Sequence, residues 1–391
     1  MAKEPRRLDL SPYLTREPVI LAVLTGLAIA SFLTVTGLSR LYSAQQASLA
    51  ERWSARGVND LNAQRYQIAI TEFRTALLYD RDNGAYQLSL AQALMGLNRT
   101  DEADAYLVNL WARQPENGVV NLELARIAAK KNQTERALRF YHNAIYAIWP
   151  GGQETERRKT RLELINYLLQ INARTQAESE LIALETDIGE DPSQQTRLGE
   201  LFVRVQDYNR ALSAFRAALK LDRGNPRANA GAGIATFEMG QYAAAQRYLR
   251  EAVAASSGDT ASSALLATTE SVLKMDPFRP QISDVERNQI AINAFNAAGD
   301  RLKACPSAAG AGAPPAPKPA APSIAEAGGL AQQWQKLKPQ MTPRGLRQNP
   351  DLLNTAMNLS FQIEHQATST CGPGGPADKA LLFIANLHEE N

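Results

Sequence analysis

The sequence predicts an all-α protein: one apolar N-terminal helix, then a solenoid of paired helices, then a small helical module. Two observations carry this reading. First, small residues and one large apolar residue recur with spacings of 4 and 3, as in Ala211, Phe215, Ala218 and again in Ala245, Leu249, Ala252. That spacing puts each trio on one helical face, where alanines let a second helix approach and the large side chain fills the gap. Second, the 22 residues from Pro18 to Ser39, PVILAVLTGLAIASFLTVTGLS, contain no charge.

The apolar stretch comes first along the chain. At about 1.5 Å per helical residue it reaches across a hydrocarbon core of about 30 Å. It is apolar all round and lies outside the repeats, which argues against a buried core helix. A cleaved leader is the alternative. The length of the stretch, and the lack of a small-x-small site over Leu41–Ala47, favour an uncleaved transmembrane helix at 18–39 behind a tail at 1–17. Lys3, Arg6, Arg7 and Arg16 precede it, whereas Arg40 and Arg52 follow. This asymmetry predicts a single-pass membrane protein with a cytoplasmic N-terminus and an exported, periplasmic bulk.

The repeats follow. Tyr66, Ala69, Phe73 and Ala76 form one copy; Ala103, Leu107 and Leu110 the next; Ala137, Tyr141 and Ala144 a third. Upstream of the first alanine of each copy lies a small residue on a partner helix: Gly57, Ala91, Ala125, Gly199, Gly233. The pattern resembles the tetratricopeptide repeat (TPR), a helix–turn–helix of 34 residues. In phase, the solenoid of 50–259 divides into 50–83, 84–117, 118–151, 158–191, 192–225 and 226–259. Register breaks once, at 152–157 beside Gly151–Gly152. The unit at 158–191 keeps Ala177, Leu181 and Leu184 but carries Ile165 where a small residue is expected.

The resemblance implies a stack in which each repeat packs on its neighbours, and an interaction protein rather than an enzyme. It also implies that the first helix of every repeat lines a concave groove that takes a protein or peptide. Carried over by position, the partner groove consists of Leu61, Leu88, Met95, Leu122, Arg126, Glu200, Arg204 and Phe237. The row is largely apolar with a few charges. Cytosolic co-chaperones of this family grip an acidic peptide tail with lysines, asparagines and an arginine. Here the corresponding positions begin Val58, Gln92, so that clamp is not evident.

Residues 260–305 read as two capping helices, the second beginning near Ser283 with Val285, Ile292, Phe295 and Leu302 on its apolar side. PSAAGAGAPPAPKPAAPS at 306–323 is an extended spacer by composition. Beyond it, 324–391 reads as a small helical module. One helix is capped by Ser323, one is opened by Asn349–Pro350 and runs to His365, and one is opened by Asp378. Cys371 falls in a loop, TSTCGPGGP.

No chemistry emerges from the motifs. His142, His365 and His388 are scattered and lack ligand spacing with the cysteines. GAGIATFEMG at 231–240 follows no strand, so it is no dinucleotide loop, and CGPGGPADK lacks the phosphate-loop pattern. Glu156–Arg157–Arg158–Lys159 is a solvated helix face. Asn98, Asn132 and Asn358 open glycosylation triplets that matter only on a eukaryotic secretory route. A net charge of +2 gives no basic stripe for nucleic acid. The expectation is a membrane-anchored adaptor that recruits or assembles envelope proteins without metal or cofactor. The alternative is a constitutive accessory subunit of a membrane enzyme complex, held by the anchor and the C-terminal module.

The chain has two cysteines, Cys305 and Cys371. In an exported chain they suit a bridge, worth roughly 4 kcal/mol by loop entropy. With thiols blocked during isolation from membranes, the protein should migrate faster without reductant than with it. Unchanged mobility would contradict the bridge.

Overall fold

Every regular element in the computed structural model is a helix, over the described residues 16–149, 153–256, 258–305 and 325–389. The tail at 1–15, the Gly151–Gly152 break, Ser323 and the spacer at 306–323 lie outside them. The chain forms two compact units, Met1–Tyr167 and Leu168–Asn391.

In the N-terminal unit, α1 runs unbroken over Arg16–Asn62, about 70 Å at helical rise. The sequence suggests a span ending at Ser39 and a repeat starting at Ala50. Nothing between them breaks a helix, because RLYSAQQASL contains neither glycine nor proline. The apolar part is long enough to cross a membrane, and none of it is buried. The last turns of α1 pack on α2 (Tyr66–Tyr79). Then come α3 (Gly84–Gly96) with α4 (Thr100–Arg113), and α5 (Gly118–Lys130) with α6 (Thr134–Tyr146). Next is α7 (Gln153–Gln170), which begins five residues before the expected repeat start.

Two backbone devices repeat with the helices. Asn83 and Asn117 cap α3 and α5, each side chain accepting two backbone N–H groups of the first turn. Between the helices of a pair, Gln64, Asn98 and Asn132 adopt left-handed φ near +59°, +59° and +55°. That conformation turns the chain tightly enough for the second helix to lie back on the first. After α6 the chain extends: Ile148 N–H donates to the Glu116 carbonyl, and Gly118 N–H to that of Ile148. Trp149 then covers Gly118, with its indole N–H on the Ala144 carbonyl at 2.9 Å.

The C-terminal unit repeats the scheme in α8 (Arg174–Glu185), α9 (Pro192–Val205), α10 (Tyr208–Leu221), α11 (Pro226–Glu238) and α12 (Tyr242–Ala255). Asp191 and Asn225 are the caps, and Asn172, Gln206 and Gly240 the left-handed residues. The pair expected to cap the solenoid keeps the scheme. α13 (Thr260–Met275) is capped by Asp259 and starts one period after Pro226. α14 (Asp284–Ala304) buries Ala291, Phe295 and Ala298, with the same 4 and 3 spacing as the repeats. Val285, expected on its apolar side, is 73% exposed.

The last four helices are α15 (Ala325–Leu337), α16 (Pro343–Gln348), α17 (Asp351–Cys371) and α18 (Pro376–Glu389). Two sequence expectations change here. Asn349 ends α16 rather than capping α17. Cys371 is the last helical residue of α17 rather than part of a loop, with Gly372 at the C-cap. The apolar residues of these helices share one buried cluster with Phe237, Leu249, Val272 and Phe295. Trp334 of α15 stacks on Phe295 at 5.3 Å, covers Gly299 and donates to the Phe295 carbonyl.

Helix approach within a repeat rests on small residues. A Cβ at Gly199 would sit 2.7 Å from the ring of Phe215, and one at Gly57 would sit 2.8 Å from that of Phe73. Both rings are fully buried. Phe215→Ala should cost about 3–5 kcal/mol and Gly199→Ala about 1–3 kcal/mol in denaturant unfolding. Costs below 0.5 kcal/mol for both would show that this contact does not set the spacing.

Candidate functional site

In the N-terminal unit the first helix α3 touches α1 on one side and α5 on the other, and the three carry five of the expected groove residues. Leu61, Leu88, Met95 and Arg126 are half-buried; Leu122 is buried. Their helices are joined by polar contacts that the sequence reading missed. Gln92 of α3 donates to Glu123 of α5 at 3.1 Å. Arg126 of α5 forks onto both oxygens of Glu163 of α7 at 2.8 and 2.7 Å, and also reaches Glu123 at 3.1 Å. The Tyr141 hydroxyl donates to Glu163 at 3.2 Å.

The fork fixes Arg126 in one plane, as bidentate pairing does. The Glu163 hydrogen bond raises its pKa, working against burial. Burial, and then the Glu163 charge, push the Tyr141 hydroxyl up as well, so it stays a donor. The result is a rigid polar centre flanked by half-buried Leu88 and Met95. Two carboxylates, Glu123 and Glu163, share one guanidinium. Glu123 and Glu163 occupy the same place in their repeats, three residues before Arg126 and Asn166. The recurrence of glutamate at that repeat position is the sequence signal for the ladder.

The other expected groove residues lie in the C-terminal unit. Glu200 is half-buried and accepts a bidentate pair from Arg227 at 3.0 and 2.8 Å. Arg204 is exposed. Phe237 corrects the expectation: it does not face an open groove. It is 6% exposed, lying 5.1 Å from the ring of Phe383 on α18 and 5.3 Å from that of Tyr242. The last helix of the chain fills the space where a partner was expected. Burial, and then the Asp276 charge, push the Tyr242 hydroxyl to about 12.

The two cysteines are joined as a disulfide, Cys305–Cys371, tying α14 to the end of α17. Beside it sits a second missed cluster. Glu364 of α17 is fully buried; among the described residues its oxygens accept from no N–H group, and they face the carboxyl of Asp378, with which a hydrogen bond requires a shared proton. Arg301 Nε of α14 lies 4.0 Å from both Glu364 and Asp378 of α18, and its Nη2 donates to the Gly372 carbonyl. Burial, reinforced by the facing Asp378, raises the Glu364 carboxyl to about 7.

Comparison with known proteins fits this architecture. Tetratricopeptide-repeat models match residues 55–108, 88–152 and 203–268. The chain therefore carries tetratricopeptide repeats, a fold that serves as a protein-interaction scaffold. No curated protein is significantly similar in sequence. Among solved structures, Pseudomonas aeruginosa pilF is 16% identical with a TM-score of 0.41, over 57% of this chain and 99% of that one. The C-terminal part of a TPR repeat-containing protein from Cytophaga hutchinsonii is 14% identical with a TM-score of 0.46, over 61% and 93%. YrrB, a TPR protein with an unusual peptide-binding site, is 16% identical with a TM-score of 0.39, over 49% and 96%.

Arg126→Leu removes the shared cation and leaves Glu123, 5% exposed, facing Glu163. It should cost about 1–3 kcal/mol, and Arg126→Lys less, since charge is kept and only the fork is lost. Equal costs for the two, by denaturant unfolding, would mean that the fork geometry contributes nothing.

Proposed function

We propose that the chain is a membrane-anchored protein-interaction scaffold. Residues 18–39 span the bilayer with the N-terminus cytoplasmic, and the repeats stand on the exported side. There the concave face of the N-terminal unit takes a protein or peptide, and the scaffold recruits or assembles envelope proteins around it. The observation that carries this reading is α1, in which an exposed apolar span continues without a break into the first helix of the first repeat. A hinge would let the repeats reorient; a continuous helix holds the first repeat about 16 Å beyond the span. The disulfide supports an oxidising compartment.

Recognition would use Leu61, Leu88, Met95 and Leu122 as apolar contacts, with Gln92 and the Glu123–Arg126–Glu163 ladder as the polar centre. The two carboxylates of that centre favour a partner segment with a basic residue among apolar ones. The accessory-subunit reading is less well supported. It was motivated by the C-terminal module, whose apolar side chains lie in one cluster with α11–α14.

A photo-reactive amino acid placed at Met95 or Leu78 in the membrane-bound full chain tests this. Leu78 is on a second helix and 83% exposed. Illumination should give a discrete crosslinked partner from position 95 and none from 78. Equal crosslinking from both positions, or from 78 alone, would rule out the concave face as the site.

A further inference from the structure

α18 lies across the C-terminal ends of α11 and α13. Ala380, Leu381, Ile384 and Ala385 are fully buried. Phe383 meets Phe237, Leu387 covers Gly240, and the His388 ring lies 4.3 Å from that of Phe278. This is an amphipathic helix laid by its apolar side into a receiving face, with donor and receiver in one chain.

The attachment of α18 differs from that of its neighbour. The disulfide closes at Cys371, the last residue of α17, so α17 is covalently tied to α14. α18 follows the bridge and is joined to α17 only through Gly372, at φ +79°, and the turn Pro373–Gly375. Its first turn brings Asp378 against the buried Glu364, with Arg301 beside both. Among the described residues the charges acting on Glu364 are those of Asp378 and Arg301. At the far end of α18, Asp276 is buried near His388 and Arg279.

We propose that α18 is an autoinhibitory helix, a resident occupant of the concave face of the last repeats, whose release is gated by the charge of the Glu364–Asp378 pair. With one proton between them, the two carboxyls tolerate each other beside Arg301. With both ionised, a fully buried carboxylate without a donor faces another, and departure of α18 relieves the repulsion. The sign follows from linkage. The docked state holds the Glu364 proton up to about pH 7, whereas an exposed glutamate releases it near 4.5. Undocking therefore releases a proton and becomes easier as pH rises between those values, by up to about tenfold per pH unit. The inhibitory role extends the proposed recognition to the concave face of the last repeats, which the function proposed above does not use; undocking is read on α18 itself, so its failure would leave the N-terminal face untouched.

Hydrogen exchange of the full chain in detergent micelles, at about pH 5.5 and about pH 8 and corrected for intrinsic rates, tests the proposal. The opening of amides in Leu381–Leu387 should rise on the order of tenfold or more at the higher pH, while Leu352–Ala367 stays protected. Glu364→Gln, neutral throughout, should hold α18 at its low-pH protection at both values. If the first variant does not fold, Asp378→Asn, which removes the facing charge but leaves Glu364 buried, should shrink the pH effect without abolishing it. The proposal is overturned if exchange in α18 does not change with pH, if α17 opens together with α18, or if the variants keep the full pH effect.

Discussion

The distance at which two helices can pack, when one offers glycine or alanine to the other's large side chain, governs the rest of this structure. Phe215 shows the constraint most clearly. Its ring lies against Gly199 of α9, inside its own pair, and against Gly231 of α11, in the next. One side chain thus closes one repeat and docks its successor, and a Cβ at either glycine would push a helix away. Phe73 on Gly57 and Leu249 on Gly233 repeat the arrangement, and Trp334 on Gly299 carries it into the last helices. Asparagine and aspartate caps start the first helices, and left-handed residues return the second ones. Helix length and helix distance are both set locally, so each pair can be built from its own sequence and its neighbour's.

That locality explains what could be read in advance. The trios Ala211–Phe215–Ala218 and Ala69–Phe73–Ala76 mark faces within single helices, and a linear sequence shows such faces directly. The pair α13–α14 was harder. Its trio, Ala291–Phe295–Ala298, is intact but displaced by the insertion DPFRPQIS at 276–283, so it falls out of period. Tertiary cover was not legible. Phe237 occupies a groove position by its repeat number, yet it is buried by Phe383, to which no periodicity connects it. Glu364 reads as one polar residue on an amphipathic helix, and only the packing of α14 and α18 around it shows it to be enclosed.

The two ends of the chain use their helices for opposite purposes. At the N-terminus, α1 leaves an apolar surface uncovered over the span and then buries Ala50 and Gly57 in the first repeat. At the C-terminus, apolar surface is covered by the chain itself: α15 docks through Trp334, α17 is tied by the disulfide, and α18 lies over Phe237. Of the expected groove, the part on α1, α3 and α5 keeps half-buried side chains around a polar centre, while the part at Phe237 is closed.

The closure of that end is tested most directly by a double-mutant cycle between Phe237 and Phe383. Each alanine substitution, and the pair, would be measured by denaturant unfolding of the full chain. Edge-to-face packing of the two rings predicts a coupling of about 0.5–1.5 kcal/mol beyond the separate costs. Additivity to within about 0.3 kcal/mol would mean that the rings do not meet, and that α18 does not cover the face it is placed on here.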